Sequence, residues 1–297
     1  MGLRTHLSSF CLIAVVSGAV VSCGATPVEP KAEHEARMLA PIPACATVLP
    51  TSGPSGMQVA LRDEYWKLVF PSFDDQRGKL PPDALTCTGV DVLEDATFAR
   101  ATVAAKVTDD QITLGGGADG VKAVWLRSHP VSENEVAGTL ALVQQKDEFV
   151  YVVAVGSHRG RPNARISLDR LGSEVLLLVR DEGCKGRQPD DACESLLTVY
   201  LARQGRLVKG ASIALEQVAF GDGETFGERG EQFHLTSSPS FVKDELRVVE
   251  HVSVSNRLGR ETRWAELERV FVIMGDVFEP SDTPLWSKVV RPKHVSR

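Results

Sequence analysis

A basic segment at residues 157–165 contains the residue types best suited to chemistry with a ligand. It reads Ser-His-Arg-Gly-Arg-Pro-Asn-Ala-Arg, in a chain whose formal net charge is −6. The planar guanidinium group of Arg can form paired hydrogen bonds with carboxylates and phosphates. His158, Arg159, Arg161 and Arg165 are therefore a candidate loop for binding an anionic glycan or an acidic protein surface. A solvated turn is the simpler interpretation of the same residues.

The motifs of the common hydrolases and nucleotide-binding proteins are missing from the sequence. Ser240 and Lys243 have the Ser-x-x-Lys spacing of penicillin-recognising enzymes, in which the lysine activates the serine. In those enzymes the motif begins a helix and a Lys-Thr-Gly motif follows, whereas strand-like runs surround Ser240 and no Lys-Thr-Gly occurs here. The sequence has no Gly-x-Ser-x-Gly, His-Glu-x-x-His or phosphate-binding loop. We therefore expect no catalytic residues, metal or cofactor.

Cysteine residues offer a second kind of chemistry, because four of the six follow residue 24. These four are Cys45, Cys87, Cys184 and Cys193. An even number in an exported chain predicts disulfides, for which three connectivities are possible. Local pairing, Cys45 with Cys87 and Cys184 with Cys193, is the most economical. A zinc site is the alternative, but the sequence has no Cys-x-x-Cys and no histidine near either pair.

The N-terminal segment has the organisation of an export signal. A short polar stretch with Arg4 precedes residues 7–21, which are mostly apolar. Fifteen helical residues extend about 22 Å, less than the roughly 30 Å of hydrocarbon in a bilayer, so cleavage fits better than a retained membrane helix. The segment ends in Val20-Val21-Ser22-Cys23.

That ending resembles the lipobox of bacterial lipoproteins. The resemblance covers residues 1–24 only, and Val20 and Ser22 are less common than the Leu and the Gly or Ala typical of the family. It implies that residues 1–22 are removed and that Cys23 carries the lipid. Gly24, where Asp would favour retention, implies sorting to the outer membrane in Gram-negative members. The alternative is an ordinary signal peptide that is cut a few residues later.

The remaining chain divides into a tether and one domain. Residues 23–44 begin with the lipidated cysteine and continue with Pro, Ala and Glu without a periodic apolar face, which predicts a flexible tether. Residues 45–297 are expected to form a single globular domain. The moderate net charge argues against nucleic-acid binding.

From about residue 101 onward, the pattern predicts antiparallel strands. The hairpins expected are 136–142 with 149–155, 197–202 with 206–209, and 246–254 with 265–274, the last two turning at Gln204-Gly205 and Leu258-Gly259. Val175–Val179 is entirely apolar, as expected for a strand covered on both faces. Roughly ten to thirteen such runs, without βαβ alternation, predict a mainly antiparallel all-β fold such as a sandwich, barrel or propeller.

One helix is expected near the start of this domain, over residues 55–70. Ser55 and Gln58 have capping-box spacing, and Tyr65 and Leu68 belong to an apolar stripe of helical period. Pro71 ends the pattern.

These patterns predict a non-catalytic lipoprotein of the outer membrane that binds or scaffolds another component of a cell-envelope assembly, with a protein partner. The second hypothesis is an anchored ligand-binding or glycan-binding protein that uses aromatic residues such as Trp125, Trp264 and Trp286. A hydrolase on a β scaffold is the third, since catalytic carboxylates need no linear motif.

Overall fold

The computed structural model describes residues 45–48, 64–89, 106–116, 120–146, 149–184, 193–220, 231–256 and 258–290. All of them belong to one compact unit, residues 40–297. Strands account for 68% of the described residues and helices for 7%, which confirms the prediction of an all-β fold. The segments expected to be a signal and a tether lie outside the described residues.

Thirteen strands, two short α-helices and one 3₁₀ turn (Asp109–Gln111) are the regular elements of the described part of the chain. The strands are β1 (Cys45–Val48), β2 (Ile112–Gly116), β3 (Val121–Ser132), β4 (Glu135–Lys146), β5 (Phe149–Gly160), β6 (Arg165–Leu171), β7 (Glu174–Cys184), β8 (Cys193–Arg203), β9 (Arg206–Phe220), β10 (Gln232–Val242), β11 (Glu245–Ser255), β12 (Glu261–Met274) and β13 (Val277–Pro280). The helices are α1 (Glu64–Val69) and α2 (Leu285–Val289).

Almost all strand pairs are antiparallel neighbours in sequence. One path of hydrogen-bonded strands runs β13-β12-β11-β10-β9-β5-β4-β3-β2. The hairpins of β6, β7 and β8 attach to β9, and β1 pairs with β5. β9 and β5 are parallel and share one register pair, Val155 with Arg206. β9 is therefore the strand that connects the two halves of the sheet.

The sheet folds back on itself, so that apolar cores separate successive layers. The first core lies between α1 and one face of β3–β5 and includes Trp66. The second lies between the other face of β3–β5 and β6–β8 and includes Trp125 and Leu177. The third contains Leu176 of β7 together with Phe271 of β12. β7 is thus covered on both faces, as its apolar run predicts.

The backbones of β2 and β6 lie very close to each other beside the second core. β6 packs against β2, where a Cβ added to Gly115 would lie 2.5 Å from the Ile166 carbonyl oxygen. Only glycine permits this separation without a shift of the strands. Its presence in β2 is therefore explained by packing.

The predicted hairpins are confirmed. β4 and β5 pair over Val136–Lys146, and β8 and β9 pair across Gln204-Gly205, whose φ angles of 51° and 82° suit a tight hairpin turn. β11 and β12 pair as predicted around Leu258-Gly259.

The first predicted helix is observed as α1, and residues 55–63 of that prediction lie outside the described residues. Tyr65 and Leu68, which were expected on the packing face, are buried in the first core. Cys45 and Cys87 form a disulfide with Cα atoms 5.9 Å apart, and both pack against this core. The bond fastens β1 to the segment that follows α1.

The second helix was not predicted, and a buried ion pair holds it to the sheet. Glu250 of β11 and Arg269 of β12 are both buried, and Arg269 Nε donates to Glu250 Oε1 at 2.9 Å. The other oxygen, Oε2, accepts from the Leu285 backbone N–H at 2.6 Å. Leu285 and Trp286 then pack on Leu235 and Val252. We call Glu250, Arg269 and the Leu285 N–H the Glu250 cluster.

Candidate functional site

The basic segment is not a single loop. β5 continues to Gly160, a short turn follows, and Arg165 begins β6. His158 is buried, whereas Arg159 is exposed, as alternation along a strand requires. The prediction of a loop at Ser157–Gly160 is wrong, because the extended pairing of β4 with β5 reaches Val136 and Gly160.

A pocket of about 520 Å³ lies beside this end of β5. β5 and β9 meet at Val155 and Arg206, and the described residues show no further pair between them. The residues that follow this contact line the two sides of the pocket. The lining residues are Glu135, Ser157, His158, Arg159, Asp181, Leu196, Thr198, Tyr200, Leu207 and Lys209. The pocket therefore arises where two strands of the same sheet diverge, and its size is within the range of small-molecule sites.

Three buried polar side chains meet at this pocket, those of His158, Asp181 and Tyr200. We call these three residues the His158 cluster. His158 Nδ1 lies 2.8 Å from the Tyr200 hydroxyl. His158 Nε2 lies 3.4 Å from Asp181 Oδ2, within ion-pair range but without hydrogen-bond geometry to any described residue. The imidazole ring also packs edge-on against Trp125, with centroids 5.0 Å apart. β5, β7 and β8 are thus joined by polar contacts inside an otherwise apolar core.

Gly160 is required by the geometry of this cluster. A Cβ at position 160 would lie 2.5 Å from His158 Nε2 and would collide with the Asp181 carboxylate. Asp181 Oδ1 also accepts the Arg161 backbone N–H at 2.8 Å. The turn after β5 therefore closes directly on the carboxylate, and a side chain at position 160 would push it away.

The three arginines have different environments. Arg159 makes a bidentate pair with Glu135, at 2.8 and 2.7 Å, and this hydrogen bonding lowers the pKa of the Glu135 carboxyl below its usual value. The Arg161 guanidinium lies over Gly183, where a Cβ would collide with it. Arg165 is exposed on β6, opposite Arg180. The predicted residues are close in sequence but do not form one converging set of cations.

The remaining predicted site residues are scattered. Cys23 lies outside the described residues. The register of β7 and β8 places Cys184 opposite Cys193, but their side chains are not described. Ser240 lies in β10 and Lys243 follows it in a turn with φ of 54°, which is not the helical setting of a Ser-x-x-Lys enzyme.

The three tryptophans proposed for glycan binding also differ. Trp125 is completely buried beneath His158 and is unavailable to a ligand. Trp286 packs against the core under α2. Trp264 is 62% exposed on β12 and stacks on His251, with centroids 5.6 Å apart. Of these three, Trp264 is the one that is largely exposed.

The described residues contain no group of three or more His, Cys, Asp or Glu side chains that could hold a metal ion. None of the helices in the described ranges has the length and apolar character that a membrane crossing needs.

Comparison with known proteins gives no family for this chain. No family model matches it, and neither curated proteins nor solved structures gave a match.

Asp181, Thr198 and Tyr200 line the pocket but lie outside the basic segment, and the strand pattern of the sequence contains a signal for them. Val175, Leu177 and Val179 belong to one face of β7, and Asp181 is the next residue on that face. On β8, Thr198 and Tyr200 similarly occupy inward positions. A polar residue in the inward phase of an apolar strand predicts a buried polar contact, although the identity of its partner depends on the tertiary fold.

Proposed function

We propose that the chain is a lipid-anchored binding protein of the bacterial outer membrane, and that its β body holds a small ligand in the His158 pocket without transforming it. The pocket, in which Leu196, Leu207 and the ring of Tyr200 lie among polar and charged side chains, is the observation that carries the proposal. The lipobox at Cys23 and the oxidised Cys45–Cys87 pair support export. This proposal corresponds to the second of the sequence-based hypotheses, an anchored ligand-binding protein.

Binding is favoured over catalysis by the engagement of the titratable groups. A general base must come within about 2.6–3.2 Å of the heavy atom whose proton it removes, or reach it through one water. His158 Nδ1 contacts Tyr200, and His158 Nε2 is enclosed beside Asp181. Glu135 is held by Arg159. These groups are arranged to fix the pocket wall rather than to exchange protons with a substrate.

Narrowing the mouth of the pocket tests the proposal. Leu196 lines the pocket and is exposed, so Leu196→Trp should obstruct ligand entry with little effect on the core. Leu258→Trp, in a turn where Leu258 is 79% exposed, is the matched control. Small molecules extracted from protein purified from membranes should be retained by the wild type and by Leu258→Trp, and lost from Leu196→Trp. Equal retention in both variants would exclude this pocket as the ligand site.

The anchor is tested separately. Cys23→Ala should abolish labelling with palmitate, whereas Cys11→Ala, within the expected signal, should keep it. Labelling of the Cys23→Ala protein would show that the lipobox assignment is wrong.

A second candidate function is docking of an envelope protein on the outer face of β10–β12. Trp264, Val249, Val272 and Met274 are all exposed there, and such side chains are more frequent at protein interfaces than on free surfaces. Crosslinking in membranes through a photoreactive residue at position 272 should capture one stoichiometric partner if this face docks a protein. The same probe at position 258 is the control.

A further inference from the structure

β12 is much longer than the strand beside it, so part of its edge has no strand partner. β12 comprises Glu261–Met274, and the short strand β13 pairs only with its C-terminal end. Ser281 extends this pairing, because its N–H donates to the Val270 carbonyl oxygen at 2.8 Å and its Oγ accepts the Val270 N–H at 3.0 Å. The chain then turns under the sheet, where the Leu285 N–H donates to Glu250 of β11. Among the described residues, no strand covers the rest of this edge.

The bonds of Val270 identify the backbone groups that point away from β11. In an antiparallel ladder, successive residues direct their N–H and C=O groups to opposite sides of the strand. Val270 directs both groups toward Ser281, and therefore Trp264, Glu266 and Glu268 direct theirs to the same side. Within the described ranges, nothing hydrogen-bonds to the N–H or C=O groups of these three residues. We call Trp264–Glu268 the free edge of β12.

The outer face of the sheet beside the free edge is negatively charged. Arg247 lies 2.9 Å from Glu245 and 3.6 Å from Glu268, and His251 lies 4.0 Å from Glu266. Three carboxylates thus share one arginine and one histidine. Their sum is negative whether His251 is protonated or neutral.

The inner face of the free edge is apolar. Ala265 and Leu267 are half-buried there and pack against the core under α2. Side chains alternate between the two faces of a strand, so one added strand would meet carboxylates on one side and apolar groups on the other.

We propose that the free edge of β12 binds an extended segment of a partner protein as an added antiparallel strand. In this segment basic residues alternate with apolar residues. The basic side chains lie opposite Glu266 and Glu268, and the apolar ones lie beside Ala265 and Leu267. None of these four residues lines the His158 pocket, so the inference does not depend on the ligand proposed there.

A second copy of the chain fits the free edge less well. A two-fold axis that pairs all three edge residues places Glu266 opposite Glu266 and Arg263 opposite Arg269. Like charges directly opposite each other destabilise strand pairing. Charged side chains on an edge are a common means of preventing self-association. Here they leave the edge to a strand of complementary charge.

Backbone amide hydrogen exchange in the purified protein tests whether the edge is open. The Ala265 and Leu267 N–H groups point toward β11 and should be protected, whereas those of Glu266 and Glu268 should exchange about a hundredfold faster or more. Protection of Glu266 and Glu268 without a partner would overturn the proposal. Loss of that protection on dilution would identify a second copy as the occupant, and its loss in a chain shortened to end at Val290 would identify residues 291–297.

A peptide of seven alternating valine and lysine residues is the probe for binding, followed by the amide resonances of Glu266 and Glu268. In an antiparallel pair, the lysines opposite these glutamates donate their own N–H groups to β12, and the valine N–H groups point away. Methylation of the lysine amide nitrogens should weaken binding at least tenfold, whereas methylation of the valine amide nitrogens should leave it within about threefold. Equal binding of the two methylated peptides, or no binding of the unmodified one, would overturn strand addition.

Variants of the protein test the same contact from the other side. Glu266→Pro removes an outward N–H but no bond to β11, a setting in which edge strands tolerate proline, and should weaken binding of the unmodified peptide at least tenfold. The double variant Glu266→Gln with Glu268→Gln keeps the backbone intact and should weaken binding at least threefold. Glu216→Gln, an exposed glutamate on β9, is the matched control and should not change it. Unchanged binding in the double variant would overturn the assignment of a basic partner segment.

Discussion

Two buried polar clusters lie on different strands of the described part of the chain, and they differ in how completely their polar atoms are satisfied. In the Glu250 cluster, one carboxylate oxygen accepts from Arg269 and the other accepts from the Leu285 N–H. The Arg269 guanidinium also lies 4.8 Å from the Phe271 ring centroid. This cluster joins two strands to a helix, and none of its residues lines the pocket beside His158.

The His158 cluster is organised differently. His158 Nε2 is buried near Asp181 without a hydrogen bond to any described residue, and all three members of the cluster line a pocket of about 520 Å³. Buried polar atoms in native proteins are nearly always satisfied, so an exception beside a cavity calls for an explanation. The comparison indicates that Glu250 and Arg269 hold elements of the fold together, whereas His158, Asp181 and Tyr200 line a pocket.

Breaking the Glu250 cluster should have the largest effect on stability. Arg269→Met leaves the Glu250 carboxylate buried without its counter-charge, which should lower the free energy of unfolding by about 3–5 kcal/mol. Urea denaturation measures this loss. The double variant Glu250→Gln with Arg269→Met removes both charges and keeps an acceptor for the Leu285 N–H, so it should be more stable than the single variant. A single variant with a loss below about 1 kcal/mol would contradict the structural role.

His129 sharpens the comparison, because it is a second buried histidine on a different strand, β3. Its Nδ1 lies 2.6 Å from Ser128 Oγ, and burial lowers the pKa of His129 to about 4 from an ordinary 6.5. The unfolded chain therefore binds this proton more readily than the folded protein between those pH values. Stability should fall as pH decreases from 6.5 to 4, by up to about 3 kcal/mol from this group.

The control for that prediction is His129→Gln, which removes the titrating ring. Urea midpoints measured at pH 7 and at pH 4.5 should differ less in His129→Gln than in the wild type, since all other groups contribute equally to both. An equal pH dependence in the two proteins would show that His129 is not held neutral by burial.

The His158 cluster should respond less than the Glu250 cluster to loss of one member. Tyr200→Phe removes the hydroxyl that contacts His158 Nδ1, and the loss of one neutral hydrogen bond should cost about 1–2 kcal/mol. Tyr151→Phe, a half-buried position on β5, is the control and should cost little. A loss as large as that of Arg269→Met would place both clusters in the same structural role.

How far the sequence predicts these clusters depends on whether the signal is local. Strand periodicity and the turns at Gln204-Gly205 and Leu258-Gly259 correctly predicted the hairpins, because each hairpin is specified by adjacent residues. The His158 cluster was only partly predicted. The three arginines near His158 suggested either a loop that binds an anionic partner or a solvated turn, although strand alternation makes His158 an inward residue.

The strand pattern of the sequence also contains a signal for the Glu250 cluster. The inward residues of β11 are apolar except at position 250, and on β12 Arg269 stands between Leu267 and Phe271 in the inward phase. Opposite charges at inward positions of consecutive strands predict a buried pair. The contact of Asp181 with His158 has no such signal, because it joins β7 to β5 across the second core and depends on the folding back of the sheet.

The smallest effect on stability is expected for the pair of Arg159 and Glu135 at the pocket rim, which is exposed, whereas the two clusters are buried. Arg159 and Glu135 form a bidentate pair, but their side chains are 38% and 37% exposed, so solvent screens the attraction. Arg159→Ser should therefore cost less than about 1 kcal/mol at pH 7.

The contribution of this pair to stability depends on pH, because Arg159 lowers the pKa of Glu135. The pair stabilises the fold at pH values above the ordinary pKa of a glutamate, and this stabilisation disappears as pH falls through the lowered pKa of Glu135. Urea titrations of Arg159→Ser and wild type should thus converge at acid pH, while Arg165→Ser, an exposed arginine on β6, should match the wild type throughout. A loss of 3 kcal/mol or more from Arg159→Ser, about the cost of breaking a buried ion pair, would mean that the rim of the pocket is a structural element like the Glu250 cluster.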